Sequence, residues 1–273
     1  MSEEKDFKEI ISTNNDAQFS KIKKEINKFI PNDLKLEAKN ESQIKLINSI
    51  KNNEITICAG PAGCGKTFIS VAYALSLLRK SNNKYKKIYL VKSVTPLKGE
   101  DIGYLKGNVD EKILPFFFSY FVNIEKIILD TSLKGLLDKE IIKPFPLTYM
   151  RGVTLDDCII IIDEAQNISL DNSRTLLTRI GENSKVILLG DTNQIDLKNK
   201  EESSLKTLIN MFEDTDNIGI IEMNEDDKNI RNPIITVIEA KFKEYLAMSG
   251  STKTNIKNNK KQLLVENEIL DGK

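Results

Sequence analysis

The chain has 273 residues, 40% of them hydrophobic, with 40 basic and 40 acidic residues and no histidine. A formal charge of zero removes any global pull toward nucleic acid or membrane, so polyanion binding has to come from local patches. Without histidine, a Ser-His-Asp triad, a Cys-His pair and the H-E-x-x-H metal motif are excluded, and any chemistry must run on carboxylates, Lys, Arg and a metal held by oxygen.

In chain order, residues 1–36 read as a charged N-terminal extension, with Lys21, Lys23, Lys24 and Lys28 on a helix broken at Pro31. The first residues lack a signal-peptide core, and the longest apolar run, Cys158 to Ile162, has a strand's length rather than a membrane span's. The expectation is a cytoplasmic protein without membrane contact. A helix is predicted over Glu41 to Lys51, with Ile44, Ile47 and Ile50 on one face, then a strand over Glu54 to Ala59. A helix follows to about Lys80, closed by the turn formers Ser81, Asn82 and Asn83.

Lys87 to Lys92 reads as a second strand and Ser93 to Gly107 as a loop. Glu111 to Ile128 and Thr131 to Lys139 read as helices. Two prolines and a glycine make Lys143 to Val153 a loop or irregular connection. Cys158 to Ile162 has the continuous apolar character of a buried parallel strand. Leu170 to Ile180 is predicted helical with Gly181 as its stop, Lys185 to Leu189 a strand, Glu201 to Phe212 a helix and Ile218 to Glu222 a strand. Pro233 to Met248 reads as a closing helix, before a flexible Lys/Asn-rich tail at 249–273. Strands alternating with helices predict a three-layer α/β domain over residues 37–248 with a mostly parallel sheet. Cys58, Cys64 and Cys158 lie too far apart for a zinc site, and a disulfide framework is not expected.

Between the first strand and its helix stands Gly60-Pro61-Ala62-Gly63-Cys64-Gly65-Lys66-Thr67, which fits G-x-x-x-x-G-K-[ST] in its required context. Glycines let the backbone wrap a phosphate, and the helix N-terminus presents N–H groups to the anion. Lys66 is expected on the β- and γ-phosphates of a nucleotide and Thr67 on Mg²⁺. About a hundred residues later, Asp163 and Glu164 end the buried strand at the edge where open α/β sheets bind ligands. Asp163 is expected to hold Mg²⁺ opposite Thr67, and Glu164 to polarise the attacking water as general base. That pair argues for hydrolysis over transfer to a small-molecule acceptor, for which no motif is visible. Gly190 to Asp196 follows the next strand, and Gln194 there is the candidate γ-phosphate sensor; the alternative is a plain turn.

G-P-A-G-C-G-K-T, Y-M-R-G-V-T-L, I-I-D-E-A-Q-N, L-L-T-R-I-G and G-D-T-N-Q-I-D, in this order, resemble the motifs of the PhoH family, and Gly99 to Gly107 looks like a further segment of it. The similarity runs from about Asn40 to Leu246. It implies a RecA-like P-loop NTPase domain related to superfamily-one helicases, acting as a Mg²⁺-dependent ATPase with possible helicase activity. Lys92-Ser93, where the bacterial pattern has Arg-Pro, looks like the bacteriophage variant. By the same resemblance Gln43 matches an adenine-reading glutamine; the alternative is an exposed helix glutamine. Arg179 and Arg231 match family arginines able to serve as arginine fingers, and Arg151 matches another that would face nucleic acid or a neighbouring subunit. All three can equally be surface salt-bridge residues.

Helicases of this type place ATP between two RecA-like domains, and the chain after Leu246 is too short for a second. The expectation is therefore a homo-oligomer, in the form of a ring, with arginines acting in trans. RNA or single-stranded DNA is the expected polymer. Lys84, Lys86 and Lys87, or Lys257, Lys260 and Lys261, could meet its phosphates, although solvated charge explains short lysine runs as well. The alternative function is an ATP-switched oligomeric binding module with little turnover.

Overall fold

In the computed structural model of the chain, residues 18–34, 36–80, 84–92, 113–197 and 199–224 are described, with scattered residues between 234 and 245. The turn at 81–83, the loop at 93–107, Arg231 and the tail from 249 lie outside them. The chain divides into two compact units, Met1–Lys228 and Asn229–Lys273. In the second unit the described residues are helical, as expected for the closing helix.

The first unit is built on six strands: β1 (Ile55–Ala59), β2 (Lys87–Lys92), β3 (Ile142–Pro146), β4 (Cys158–Asp163), β5 (Lys185–Gly190) and β6 (Ile218–Glu222). They form one sheet in the order β3-β2-β4-β5-β1-β6, and every pairing is parallel. The helices are α1 (18–29), α2 (Glu41–Asn52), α3 (Lys66–Arg79), α4 (Phe118–Glu125), α5 (Asp130–Asp138), α6 (Leu170–Leu177) and α7 (Ser204–Phe212). Alternate residues of the central strands go to opposite faces, as the pleat requires. Ile159, Ile161, Ile187 and Leu189 join Ile26, Leu46, Ile69, Leu75 and Tyr120 in one core. Ile160, Ile162, Val186 and Leu188 join Leu176, Leu205 and Leu208 in the other. The architecture is the three-layer α/β domain that the alternation of strands and helices predicts, with the sheet parallel throughout. Among the described residues, no helix is long and apolar enough to cross a membrane.

Helix α1 belongs to this core, with Ile26 and Ile30 fully buried, so part of the charged extension packs into the fold. Helix α3 is apolar on nearly every side because it lies between the sheet, α2 and α4; Ile69, Val71, Ala74, Leu75 and Leu78 are all buried.

Three boundaries differ from expectation. Residues 142–146, read mostly as a loop, are strand β3, paired with β2 through registers such as Leu90 to Pro144 and Lys92 to Pro146. Because β3 is at the sheet edge, a proline there leaves no ladder donor missing on its open side. The helix expected to run to Ile180 ends at Leu177, since Ile180 forms a parallel bridge to Leu155. Gly181 is therefore a close-approach residue and not a helix stop: a Cβ there would come within 1.9 Å of Asp156 Oδ1 and 2.9 Å of the Leu155 carbonyl. The helix expected from Glu111 resolves into a 3₁₀ turn, Leu114–Phe117, holding Pro115, before α4.

Candidate functional site

The parallel sheet aligns the ends of β1, β4 and β5, with β5 between the other two, so the loops leaving them converge at one edge. After β1, Gly63 (φ 90°) and Gly65 (φ 87°) take left-handed backbone that an L side chain adopts only under strain. Gly65 is the N-cap of α3 and offers no side-chain cap, so the positive end of the helix faces the loop Gly60 to Gly65. Lys66 is 8% exposed, and its Nζ donates to the carbonyls of Gly60 (2.7 Å) and Pro61 (2.9 Å). The ammonium is thus stored over the phosphate loop. Cys64 is fully buried and donates from Sγ to Pro61 O at 3.0 Å, a packing role. Ala62 completes the turn between Pro61 and Gly63.

Gln43 is 2% exposed, which removes the exposed-helix alternative. Its Nε2 donates to Cys64 O (3.0 Å), its Oε1 accepts from Lys39 N (2.8 Å), and its own N–H meets the N-cap oxygen of Asn40 (2.9 Å). It ties the start of α2 to the phosphate loop.

Strand β4 carries Asp163 to the same mouth. Thr67 Oγ1 donates to Asp163 Oδ2 at 2.9 Å across 96 residues of sequence, and Glu164 N donates to Oδ1 at 3.0 Å. Burial pushes the Asp163 carboxyl above the usual range and the neighbouring Glu164 adds to this, while the Thr67 hydrogen bond and Lys92 oppose it. Lys92 stands in register with Asp163 on β2. A hydroxyl and a carboxylate side by side suit Mg²⁺, a hard cation that takes oxygen ligands and keeps waters and phosphate oxygens for the rest. Among the described residues no cluster of three or more His, Cys, Asp or Glu gathers for a metal.

Glu164 leaves the strand in the left-handed region (φ 58°, ψ 38°), uncommon for a residue with a Cβ. Its Oε2 accepts from Gln166 Nε2 at 2.6 Å. Gln166, 1% exposed, also donates to Gln194 O (3.1 Å) and accepts from Asp191 N (3.0 Å). Beside it, Asn167 and Asp196 are joined by bonds of 3.3 and 2.8 Å. The turn after β4 therefore grips the loop after β5. Gln194 stands exposed at this edge, anchored through its backbone.

Arg179 and Arg151 do not join this constellation, and Arg231 lies outside the described residues. Arg179 lies in the turn after α6, where its carbonyl accepts from Leu155 N (2.9 Å), on the chain leading into β4. That is the N-terminal edge of the sheet, opposite the phosphate loop. Its Nε is buried and without a hydrogen-bond partner among the described residues. Arg151 is exposed on the connection from β3 to β4. Lys86 and Lys87, also at the N-terminal edge, pair with Asp157 (2.7 Å) and Glu140 (3.9 Å), and Lys84 lies over the Tyr85 ring.

Sequence reasoning placed Gln166 inside a motif without a role. The signal was present: a polar side chain in a two-residue step from the acidic pair, in a turn whose neighbours Ala165 and Ile168 are buried.

Residues 35–243 match the family described as PhoH-like protein. A PhoH-like protein of Bacillus subtilis (strain 168) is 35% identical over 210 residues, covering 77% of this chain and 65% of that protein. Protein PhoH of Escherichia coli (strain K12) is 33% identical over 192 residues, covering 70% of this chain and 53% of its own length. This chain thus spans under two thirds of the length of those relatives. Among solved structures it is similar to the large terminase of the thermophilic bacteriophage D6E, with a TM-score of 0.42 and 12% identity over 72% of this chain and 48% of that one.

Proposed function

The chain belongs to the PhoH-like protein family, and on that premise we propose that it is a Mg²⁺-dependent ATPase of the cytoplasm whose hydrolysis is coupled to binding or remodelling RNA or single-stranded DNA. The observation that carries the reading is the Thr67–Asp163 hydrogen bond at the mouth of the phosphate loop, with Glu164 next in chain. Thr67 and Asp163 would hold Mg²⁺, which when bound supplies charge neutralisation at the phosphates. The N–H groups of the glycine loop and of α3 bind phosphate oxygens, and Lys66 exchanges its two carbonyl partners for the β- and γ-phosphates. Glu164 accepts a proton from the attacking water, whose oxygen bonds in line to the γ-phosphorus as the bond to the β–γ bridging oxygen breaks and ADP leaves with phosphate. Gln194 would donate to the γ-phosphate from the loop after β5, and Gln43, tied to the phosphate loop through Cys64 O, is the candidate for reading the adenine.

We assign the arginine finger to a neighbouring copy of the chain. Arg179, whose turn lies at the N-terminal edge of the sheet away from its own phosphate loop, would act in trans within a homo-oligomeric ring, and Arg231 and Arg151 are the other candidates. The test is steady-state ATP hydrolysis with and without single-stranded RNA or DNA. Glu164→Gln should lower turnover by roughly 10²–10⁴-fold while ATP still binds. Lys66→Ala should lower turnover by about 10²–10³-fold. Tight ATP binding with negligible turnover under every condition would replace the motor reading by a nucleotide-switched binding module.

A further inference from the structure

We propose that Gln166 is a positioning residue that holds the carboxylate of Glu164 in its working orientation and makes that orientation depend on the loop from Asp191 to Gln194. The inference rests on the reading of Glu164 as the base. A backbone N–H can only donate, so the Asp191 contact at 3.0 Å requires the oxygen of the Gln166 amide to face Asp191. The amide nitrogen then faces the Glu164 carboxylate at 2.6 Å and the Gln194 carbonyl at 3.1 Å, both acceptors. One planar group thus satisfies three partners from two loops, and none of them can shift without turning it.

The site around Gln166 is built to keep it in place. The side chain is 1% exposed, so an amide that lost a partner would find no water to replace it. Gly190 leaves it room: a Cβ there would fall 2.7 Å from Gln166 Oε1. Glu164 itself sits in left-handed backbone, which surrounding bonds must maintain. With Oε2 held by the amide, Oε1 is the oxygen left for water. A shift of Gln194 toward a γ-phosphate moves its carbonyl, and the amide transmits that shift to Glu164.

The experiment compares Gln166→Met, Gln166→Glu, Glu164→Gln and the Glu164→Gln/Gln166→Met double variant, by single-turnover ATP hydrolysis, nucleotide affinity and thermal melting. Methionine keeps the volume and removes every bond. Glutamate keeps the acceptor for Asp191 and loses the donor to Glu164. Both single Gln166 variants should turn over about 10- to 100-fold more slowly, the cost of a misplaced reacting group, with nucleotide affinity unchanged. The double variant should be no slower than Glu164→Gln alone, because Gln166 acts only through Glu164. Wild-type turnover in both Gln166 variants overturns the role, as does a fall in rate matched by falls in nucleotide affinity and melting temperature. A double variant slower by the product of the two single effects overturns it too. Full activity in Glu164→Gln removes the hydrolytic reading itself, a failure separable from the others because it needs no change at Gln166.

Discussion

The two edges of the one sheet solve the same backbone problem with different chemistry. At the N-terminal edge, each of β3, β4, β5 and β6 is preceded within two residues by a left-handed residue: Glu140, Asp157, Asn183 and Asn217. Three of these are Asp or Asn, whose short side chains tolerate that region. Charges there meet partners in the chain: Lys86 with Asp157, Lys143 and Lys87 with Glu140, and Lys185 with the carbonyl of Asn53. Even so, burial pushes Lys185 down to about 8, with Lys84 adding to the shift. At the C-terminal edge the left-handed non-glycine residue is Glu164, adjoining the buried Asp163, and no cation reaches either carboxylate as an ion pair among the described residues. The lysines at the N-terminal edge thus meet acidic or carbonyl partners of the fold, whereas Asp163 and Glu164 at the C-terminal edge are held by hydrogen bonds from neutral groups.

If that contrast is right, the largest effect comes from Asp163→Asn, with opposite signs in two assays. Asp163 binds its proton more tightly in the folded chain than in the unfolded one, because burial and then Glu164 disfavour the charge. Its ionisation therefore lowers stability as pH rises from the ordinary carboxylate value to the raised one, and that penalty persists at neutral pH. Asparagine retains an acceptor for Glu164 N and removes the charge. Its free form should melt higher than wild type at pH 7, while hydrolysis falls by about 100-fold or more through loss of the oxygen ligand. A lower melting temperature would place Asp163 among the stabilising groups and erase the contrast.

Gly181→Ala probes the other edge and should do the reverse. Its Cβ would collide with the Leu155 carbonyl at 2.9 Å and displace Asp156 Oδ1, which also accepts from Glu182 N. Overpacking of this kind costs about 1–3 kcal/mol. Denaturant unfolding should show that loss, and turnover per folded molecule should be unaltered. A turnover defect in the folded fraction would mean that the N-terminal edge contributes to the reaction.

These contrasts were legible in the sequence to the extent that they are local. The phosphate loop and the Asp163–Glu164 pair are contiguous words, each flanked by an apolar run, and β2 and β6 begin and end where their patterns do. Strand β3 was hidden because Pro144 and Pro146 argue against a strand unless its edge position is known. Gly181 looked like a helix stop because its actual neighbours, Leu155 and Asp156, lie on a different strand's approach. The step of two from Glu164 to Gln166 was visible, but Gln43 and Gln166 also reach partners 21 to 28 residues away, distances at which spacing carries no signal. Arg179 was placed in a motif, but its edge of the sheet is set by the bridge between Ile180 and Leu155.

The smallest effect is expected from Lys86→Ala, and it decides what the lysine cluster is for. Its ion pair with Asp157 is half-buried, at 2.7 Å, and pairs of this kind contribute about 0.2–1 kcal/mol. The loss should fall within that range, because Asp157 keeps Asn183 Nδ2 at 3.2 Å and the backbone bond from Lys86 N to Asp157 O is untouched. A lysine committed to that pair has little charge to spare for a polymer. Stimulation of hydrolysis by single-stranded RNA or DNA should therefore survive the substitution, with the same dependence on salt. If stimulation disappears or its salt dependence flattens, Lys86 is exchanging Asp157 for phosphates, and the N-terminal edge joins the working surface of the protein.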